Sequence, residues 1–415
     1  MTEISAAEAA ARLGVKRETL YAYVSRGVLR RRRQAGGRGS VFDAAEVDAL
    51  AARVRRGGRA GALEVVVASA ITSLEGDRLR YRGRDVTELA GSSTFEAVTE
   101  FLWSGDAGVL ATRPRWPGGP VCALAPERRR AERGAAGAGF DAIARFRIAV
   151  ALAAADDDLR YDLEPPAVAG AGRRAVAAML GALPARRDPP TRATAAPSVA
   201  ARLWTGLTAF RPAAAHVALL DAALVLLADH ELAVSTLAAR VAASARADPY
   251  SVVSTGLGVL AGGLHGGAGR LVRELLDEVG EPGRAARVVG ERLRRGERLP
   301  GLGHKVYRER DPRAEALLPA VLELRLLPGR REVIEAVLAI MEDRVDAPVN
   351  VDFALGALAY GTGMGLDATE AMFAVARTAG WLAHAIEEYT EEPLRFRARA
   401  AYTGPVGVIS ERPDR

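Results

Sequence analysis

The sequence predicts a mainly α-helical body preceded by a small helix-turn-helix head. Strand-forming stretches are nearly absent after Ile71, so a large sheet is not expected. Helix-start signatures recur instead, at 248–249 and 311–312 (Asp-Pro) and at 367–370 (Asp-Ala-Thr-Glu). The stretch 217–228 is apolar almost all round, which is typical of a buried helix. With 415 residues, the chain is long enough for two or three domains and a large core.

The composition is that of a globular protein that we expect in the cytosol. The single cysteine, Cys122, excludes an intramolecular disulfide and fits a reducing compartment. No positively charged start is followed by an apolar segment, so no signal peptide is predicted. The most apolar stretch is interrupted by Asp221 and is too short to cross a bilayer.

Positive charge is concentrated at the N-terminus. Residues 1–60 contain 13 Arg and Lys against 6 Asp and Glu, which is +7, and the whole chain is +6, so residues 61–415 sum to −1. A basic head on a nearly neutral body predicts an anionic partner for the head alone.

The head has the pattern of two helices, a basic wing and a third helix. Ser5 and Glu8 form a capping box for a first helix that ends at Gly14, and a second helix is predicted over 16–26. Residues 30–42 carry four consecutive arginines, a glycine-rich turn and a β-branched residue, which predicts a hairpin. Asp43 is positioned to cap a third helix over about 44–56. This arrangement resembles the winged helix-turn-helix of the MerR and excisionase families.

The basic residues of the head are candidate DNA contacts. Side chains on a recognition helix and a wing would bind phosphates and position the head without reading the sequence. The candidates are Lys16, Arg17, Arg30, Arg31, Arg32 and Arg33. The alternative is a solvated arginine loop on a docking or dimerisation module. A glycine-rich linker is predicted at 57–61.

The first part of the body gives weaker signals. Residues 63–71 predict one short strand, and residues 105–138 and 184–197 predict irregular connections. The acidic run 156–158 has no spaced carboxylates after it, so we interpret it as a solvated loop rather than a metal site.

Two histidines and an aspartate lie in glycine- or proline-bounded corners of the last third. They are His265 in Gly-Gly-Leu-His-Gly-Gly-Ala, His304 in Pro-Gly-Leu-Gly-His-Lys, and Asp352 in Pro-Val-Asn-Val-Asp-Phe. Two imidazoles and a carboxylate are the groups needed to remove a proton beside a carbonyl and to stabilise the oxygen that gains charge. Each residue alone also fits a structural role, as a hydrogen-bonded histidine or as a helix cap.

The segments around these residues resemble citrate synthase. Leu-His-Gly-Gly-Ala, then Pro-Gly-x-Gly-His-x-Val-Tyr-Arg-x-x-Asp-Pro-Arg, then Asn-Val-Asp-Phe follow one another in the family's order, and the likeness covers roughly residues 60–415. The resemblance implies a two-domain, all-helical fold with a cleft between the domains. The large domain would comprise 61–266 and 359–415, with a small domain of residues 267–358 inserted, and the head would comprise residues 1–60.

The resemblance also implies a reaction. Asp352 would remove a proton from the acyl group of a coenzyme A thioester, and His265 would donate a hydrogen bond to the enolate oxygen. His304 would act on the ketone oxygen of oxaloacetate, and hydrolysis of the thioester would release coenzyme A. The thioester is a co-substrate, and neither a cofactor nor a metal is expected.

Substrate-binding residues follow from the same resemblance. Guanidinium groups suit carboxylates because they donate two parallel hydrogen bonds. The expected oxaloacetate contacts are His230, Arg313, Arg377 and, from a second copy of the chain in a homodimer, Arg412. Arg308 is the expected contact for a coenzyme A phosphate. Helical spacing places Arg377, Trp381 and His384 on one face.

The sequence leaves the acyl group and the role of the body open. Ala261-Gly262-Gly263 and Ala354-Leu355 depart from the residues usual in the family, so acetyl-CoA and propionyl-CoA both remain candidates. A DNA-binding regulator whose body senses a metabolite is the alternative to an enzyme, although a sensor does not need the proposed base. A metal site lacks close ligand spacing, and Gly-Leu-Gly-His-Lys lacks the spacing of a mononucleotide loop.

Overall fold

The structure, a computed structural model, divides into two compact units, Met1–Ala68 and Ser69–Arg415. The described residues are 3–13, 20, 24, 29, 31–33, 40–44, 46–48, 66–116, 141–184, 197–263 and 265–397.

The head unit combines a helix with a three-stranded sheet. Helix α1 (Ala6–Leu13) follows β1 (Glu3–Ser5), and β3 (Ser40–Asp43) pairs antiparallel with both β1 and β2 (Arg32–Arg33). The pairing of β2 with β3 confirms the predicted hairpin, whereas the addition of β1 was not predicted.

Both predicted caps of the head are present. The hydroxyl of Ser5 accepts the amide of Glu8 at 3.2 Å, and the carboxylate of Asp43 accepts the amide of Glu46 at 3.3 Å. The predicted second helix lies mostly outside the described residues. Its described members include Leu20, which is fully buried with Ile4, Ala9 and Phe42 in a small core separate from that of the body.

The body begins with a three-stranded antiparallel sheet, and the predicted strand over 63–71 is absent from the described part of that range. Residues 66–71 are irregular, and the strands are β4 (Thr72–Glu75), β5 (Arg78–Tyr81) and β6 (Arg84–Asp85). The prediction placed the strand too early because it relied on consecutive valines. Gly76, with φ of +59°, and Asp77 make a two-residue turn, and Gly-Asp is a hairpin signal that the sequence contained.

Helices form most of the remaining described part of the body, which confirms the mainly helical prediction. They are α2 (Val86–Ser92), α3 (Phe95–Ser104), α4 (Ala142–Ala155), α5 (Pro165–Ala182), α6 (Val199–Leu207), α7 (Ala214–Leu227), α8 (Val234–Ser244), α9 (Pro249–Leu260), α10 (Ala268–Val279), α11 (Ala285–Arg294), α12 (Pro312–Glu323), α13 (Arg330–Arg344), α14 (Val351–Gly361) and α15 (Ala368–Tyr389), with short 3-10 turns at Ala107–Ala111 and Pro282–Arg284.

Helix α15 runs through the core and carries several site residues. It packs against α3, α5, α8 and α9, and Trp381 on it is fully buried. The contact is close because Gly256 of α9 lies under the indole, where a Cβ would come within 2.5 Å of the ring. Arg377 and His384 on the same helix are also buried, which places two polar side chains inside an apolar core.

Of the predicted caps in the body, two are present and one is wrong. Asp248 accepts the amides of Tyr250 and Ser251, and Asp311 accepts that of Arg313. The carboxylate of Asp367 does not cap α15. It accepts the amide of Ala142 at 3.0 Å, so it joins α4 to α15 instead.

None of the helices in the described part of the chain combines the length and apolar character needed to cross a bilayer. The division of the body into 61–266 with 359–415 and 267–358 stays a prediction.

Candidate active site

Two loops are bound to each other at the centre of the candidate site. The amide of Gly303 donates to the carbonyl of Pro348 at 2.8 Å, and the amide of Asn350 donates to the carbonyl of Gly301 at 3.0 Å. The Asn350 side chain also donates to the carbonyl of Gly303 at 2.8 Å and accepts the amide of Asp352 at 3.0 Å. This ladder therefore holds the corner containing His304 beside the corner containing Asp352.

Glycine is required in the first of these loops. Gly301 and Gly303 have φ of +83° and +71°, and a Cβ at Gly301 would lie 2.8 Å from the Cβ of Phe353. Other residues would be strained here and would push the two loops apart.

Asp311 links the arginine of the middle motif to the helix that carries Asp352. Its carboxylate accepts two hydrogen bonds from the guanidinium of Arg313, at 3.0 and 2.9 Å, and one from the amide of Val351 at 3.0 Å. Asp311 and Arg313 are both buried, and they form a direct ion pair. This pairing offsets the cost of burying their charges. The Nη1 atom of Arg313 makes no hydrogen bond to a described residue and remains available.

The hydrogen bonds of His304 define which ring nitrogen carries its proton. Its Nδ1 atom accepts the backbone amides of Val306 and Tyr307, at 3.1 and 3.3 Å. Burial and then the charge of Arg313 lower the pKa of His304 to about 4, so the ring is neutral near pH 7. Because Nδ1 accepts, the proton is on Nε2, which can donate to a ligand.

His230 lies against His304 and Tyr307. The His230 and His304 rings meet edge to face with centroids 5.2 Å apart, and the Nε2 atom of His230 lies 3.1 Å from the Tyr307 hydroxyl. Burial, followed by the charges of Arg313 and Arg377, lowers the pKa of His230 well below its ordinary value. His230 is therefore neutral and lies close to both predicted carboxylate-binding arginines.

His265 contacts Ser235 and the ring of Phe373. Its Nε2 atom lies 2.8 Å from the Ser235 hydroxyl, and its ring meets Phe373 edge to face at 6.1 Å. The guanidinium of Arg377 lies 4.5 Å above the same Phe373 ring. Burial and the charges of Arg377 and Lys305 lower the pKa of His265. Phe373 thus connects two predicted site residues from distant parts of the sequence.

Asp352 has the electrostatic properties of a base. Burial raises its pKa to about 6, against the opposing charge of Arg313 and with the help of the like charge of Asp311. A carboxyl group with this pKa is ionised near pH 7 and is more basic than an exposed aspartate.

The other predicted residues are less informative. Arg308 is exposed and makes no hydrogen bond or ion pair with a described residue. Arg31 is exposed, and Arg32 and Arg33 form β2 with side chains outside the described set. Lys16, Arg17, Arg30, Arg412 and Cys122 lie outside the described residues.

Residues 62–399 match the family model described as citrate synthase, C-terminal domain. The chain belongs to the citrate synthase family. Residues 4–55 match a second family model, described as a helix-turn-helix domain, so the chain joins this domain to a citrate synthase body.

Curated citrate synthases and methylcitrate synthases are both similar to the chain. Citrate synthase 2 of Bacillus subtilis is 39% identical over 198 residues, which are 47% of this chain and 53% of that protein. The chain thus spans about half the length of the first curated relatives it matches. The 2-methylcitrate synthase of Mycobacterium tuberculosis is 29% identical over 342 residues, 79% of this chain and 84% of that protein.

Two solved citrate synthase structures share the fold. The enzyme from Thermotoga maritima has a TM-score of 0.65 and 27% identity and covers 84% of this chain and 98% of its own. The enzyme from Thermoplasma acidophilum, solved as a ternary complex with carboxymethyl coenzyme A and oxaloacetate, has a TM-score of 0.66 and 25% identity, with coverages of 84% of this chain and 97% of its own.

The structure adds residues to the candidate site that the sequence analysis did not single out. On α8, Ser235 lies within hydrogen-bond distance of His265, and on α15, Phe373 packs under Arg377. Just after α7, Asp229 carries a charge that acts on Arg377. The apolar pattern of the sequence predicts only that these positions lie in the core or at helix ends. Their contacts with the predicted site residues form only when the helices pack together. Tyr307 and Asp311, in contrast, lie inside the quoted middle motif.

Among the described residues, no group of three or more His, Cys, Asp and Glu side chains is arranged to hold a metal ion.

Proposed function

We propose that the chain catalyses the condensation of an acyl-CoA thioester with oxaloacetate and water to give citrate, or a substituted citrate, and free coenzyme A. The observation that carries this proposal is the joining of Asp352, with a pKa of about 6, to the loop of His304, a neutral Nε2–H donor. The pair supplies a base for the thioester and a donor for the ketone.

Asp352 takes the proton from the carbon beside the thioester carbonyl. His265 donates its Nδ1 proton in a hydrogen bond to the enolate oxygen, while its Nε2 accepts the Ser235 hydroxyl. The enol carbon attacks the ketone carbon of oxaloacetate, and the new alkoxide takes its proton from Nε2 of His304. Water then attacks the thioester carbonyl and returns a proton to His304. The C–S bond breaks, and coenzyme A leaves as the thiol with the proton that Asp352 had taken.

Arginines bind the two carboxylates of oxaloacetate. Arg313 offers Nη1 while Asp311 holds its other donors, and Arg377 offers both terminal nitrogens because only its Nε makes a hydrogen bond to a described residue. His230, which lies near both arginines, contacts the ketone oxygen or a carboxylate. Arg412 from a second copy of the chain completes the site in a homodimer, and Arg308 binds a coenzyme A phosphate.

The measurement that tests this function is release of the coenzyme A thiol from oxaloacetate with acetyl-CoA and, separately, with propionyl-CoA. The ratio of the two kcat/KM values assigns the acyl group, since both kinds of relative are similar to the chain. Absence of thiol release by folded protein that still binds oxaloacetate would favour a metabolite sensor.

The shared site of the homodimer has its own test. Arg412→Ala and His304→Ala chains are each expected to be inactive, whereas a mixture that has exchanged subunits regains activity at the site with both wild-type residues. Mixed dimers without activity would remove Arg412 from the neighbouring site.

We infer that the head binds DNA, because residues 1–60 carry +7 and contain a helix-turn-helix domain match. Phosphate contacts release counterions, so the logarithm of the binding constant is expected to fall with the logarithm of the salt concentration, with a slope of roughly −0.9 per phosphate neutralised.

Replacing Arg30, Arg31, Arg32 and Arg33 by alanine should weaken DNA binding in mobility-shift titrations. The control is Arg287→Ala with Arg295→Ala on the body. Two heads of a symmetric dimer would favour a pseudo-palindromic site. Full-length protein without DNA affinity at low salt would make the head a docking module.

A further inference from the structure

The two buried arginines of the site differ in how their charges are balanced. Arg313 is in contact with Asp311 through two hydrogen bonds. Arg377 is only 1% exposed, and among the described residues its one hydrogen bond runs from Nε to the carbonyl of Leu227 at 2.9 Å. No carboxylate of the described residues lies within ion-pair distance of its guanidinium. A buried guanidinium is costly without a nearby counter-charge, so the source of that charge has to be found.

Asp229 is the carboxylate placed to supply it. The side chain is fully buried, two residues after Leu227, and its Oδ1 atom has no hydrogen-bond partner among the described residues. A Cβ at Gly380 would lie 2.2 Å from that oxygen. Because Gly380 follows Arg377 by about one turn of α15, the carboxylate rests on the same helix close to the arginine.

The other carboxylate oxygen is held by two hydrogen-bond donors. Oδ2 accepts the hydroxyl of Thr72, and the Nε2 atom of His384 lies 3.2 Å from it. The Nδ1 atom of His384 lies 2.9 Å from Nη1 of Arg240, which can only donate. His384 therefore accepts a hydrogen bond at Nδ1 and donates one from Nε2, which orients the carboxylate of Asp229. Arg240 is itself paired with Glu387 and Glu388.

We propose that Asp229 is a positioning residue of the reaction, the resident counter-ion of Arg377, which holds this guanidinium in the site and limits how tightly the site binds a dicarboxylate. The proposal rests on the proposed function only in taking oxaloacetate as the ligand. Burial alone would raise the pKa of Asp229, but His384, Arg377 and Thr72 together lower it, which fits a charged carboxylate.

Opposite effects on stability and affinity follow. Without a bound anion, loss of the Asp229 charge leaves Arg377 buried near Arg313 with no counter-charge, so the protein is destabilised. With a dicarboxylate bound, the ligand supplies the missing charge and is no longer repelled by Asp229. Loss of this charge repulsion in a buried site, at an effective dielectric near 20, predicts roughly tenfold or still tighter binding.

The test compares wild type, Asp229→Asn and Thr72→Val as full-length proteins, by thermal unfolding with and without oxaloacetate and by calorimetric titration. Asp229→Asn is expected to melt at a lower temperature than wild type. Oxaloacetate should bind it more tightly and raise its melting temperature by more than it raises that of wild type. Thr72→Val removes a hydrogen bond and keeps the charge, so it should lower the melting temperature but leave the increase caused by oxaloacetate unchanged. Equal or weaker binding by folded Asp229→Asn would overturn the proposal.

A double-mutant cycle tests the pairing without any ligand. Asp229→Asn with Arg377→Met removes both charges, and the double variant is expected to be more stable than Asp229→Asn alone. If the two destabilisations simply add, Asp229 acts through its hydrogen bonds and is not the counter-ion. Wild type that fails to bind oxaloacetate, with the cycle still coupled, would instead count against the proposed substrate.

Discussion

The Nε2 atom of His265 lies 2.8 Å from the hydroxyl oxygen of Ser235. Serine can donate to this nitrogen, and the imidazole then keeps its proton on Nδ1, the nitrogen left to face a thioester oxygen. Ser235→Ala is expected to lower kcat about tenfold, because one hydrogen bond that sets the tautomer is lost. The KM for oxaloacetate should stay within about twofold, since the hydrogen bond that Ser235 makes among the described residues goes to His265 and not to a predicted carboxylate-binding residue. Steady-state kinetics with both substrates varied will check this, and a changed KM with an unchanged kcat would place Ser235 in oxaloacetate binding.

Asp352→Asn is expected to abolish turnover and to leave oxaloacetate binding nearly intact. The amide keeps the shape of the side chain but has no basic oxygen to accept the proton. Thiol release and calorimetric oxaloacetate binding, measured on the same preparation, will check it. Turnover near that of wild type would exclude Asp352 as the base.

The activity of the wild type is expected to fall below about pH 6. The base must be ionised, and burial raises the pKa of Asp352 to about 6, so kcat/KM should rise with pH through that value and then level off. His304, with a pKa of about 4, remains neutral over this range and does not contribute to the fall in activity. Circular dichroism at pH 5 is the control for unfolding, and a flat profile down to pH 5 would contradict the assignment.

Asp311→Asn is expected to destabilise the body by roughly 3–5 kcal/mol, since it leaves Arg313 buried without its contact ion pair. Glu315→Gln is the matched control, because the Arg310–Glu315 pair is exposed and should contribute about 0–1 kcal/mol. Urea unfolding of both variants will check the contrast. Equal losses would mean that the buried pair contributes no more than the surface pair.

Asp221→Asn is expected to stabilise the protein at pH 8 and to change little near pH 5. Burial, and then the charge of Glu96, raises the pKa of Asp221 from 3.8 to about 7, despite Arg115 and Arg113. A raised carboxyl pKa means that folding favours the protonated form, so the free energy of unfolding falls between about pH 4 and pH 7 and then levels off. The amide avoids this loss, which is on the order of 2–4 kcal/mol.

Thermal unfolding at the two pH values will check the difference. Asp156→Asn, at an exposed position, is the control and should show no such pH dependence. A stabilisation equal at both pH values would show that Asp221 does not titrate between them.

The sequence predicted the helical body and the loops of the site better than the contacts between them. Local chemistry defines a capping aspartate such as Asp248 or a glycine with positive φ such as Gly301, so both could be read from neighbouring residues. The sheet at 72–85 was missed because its turn signal is only two residues long. Ser235 and Phe373 were missed because each meets its partner only after distant helices have packed. The roles proposed for His265, His304, Asp352 and the arginines stay predictions until the kinetics are measured.

The attachment of the first strand of the body has a mechanical consequence. The amide of Ala70 donates to the half-buried Glu387 at 2.8 Å, and Thr72 donates to the buried Asp229, so the first residues after the head unit are bound to two carboxylates of the body. Tension applied to the chain at Ala68 would therefore load these two hydrogen bonds before it reached any helix of the body. A truncation that removes the head must leave Ser69 and the residues after it in place, because a cut at Ser73 would delete the hydroxyl that orients Asp229.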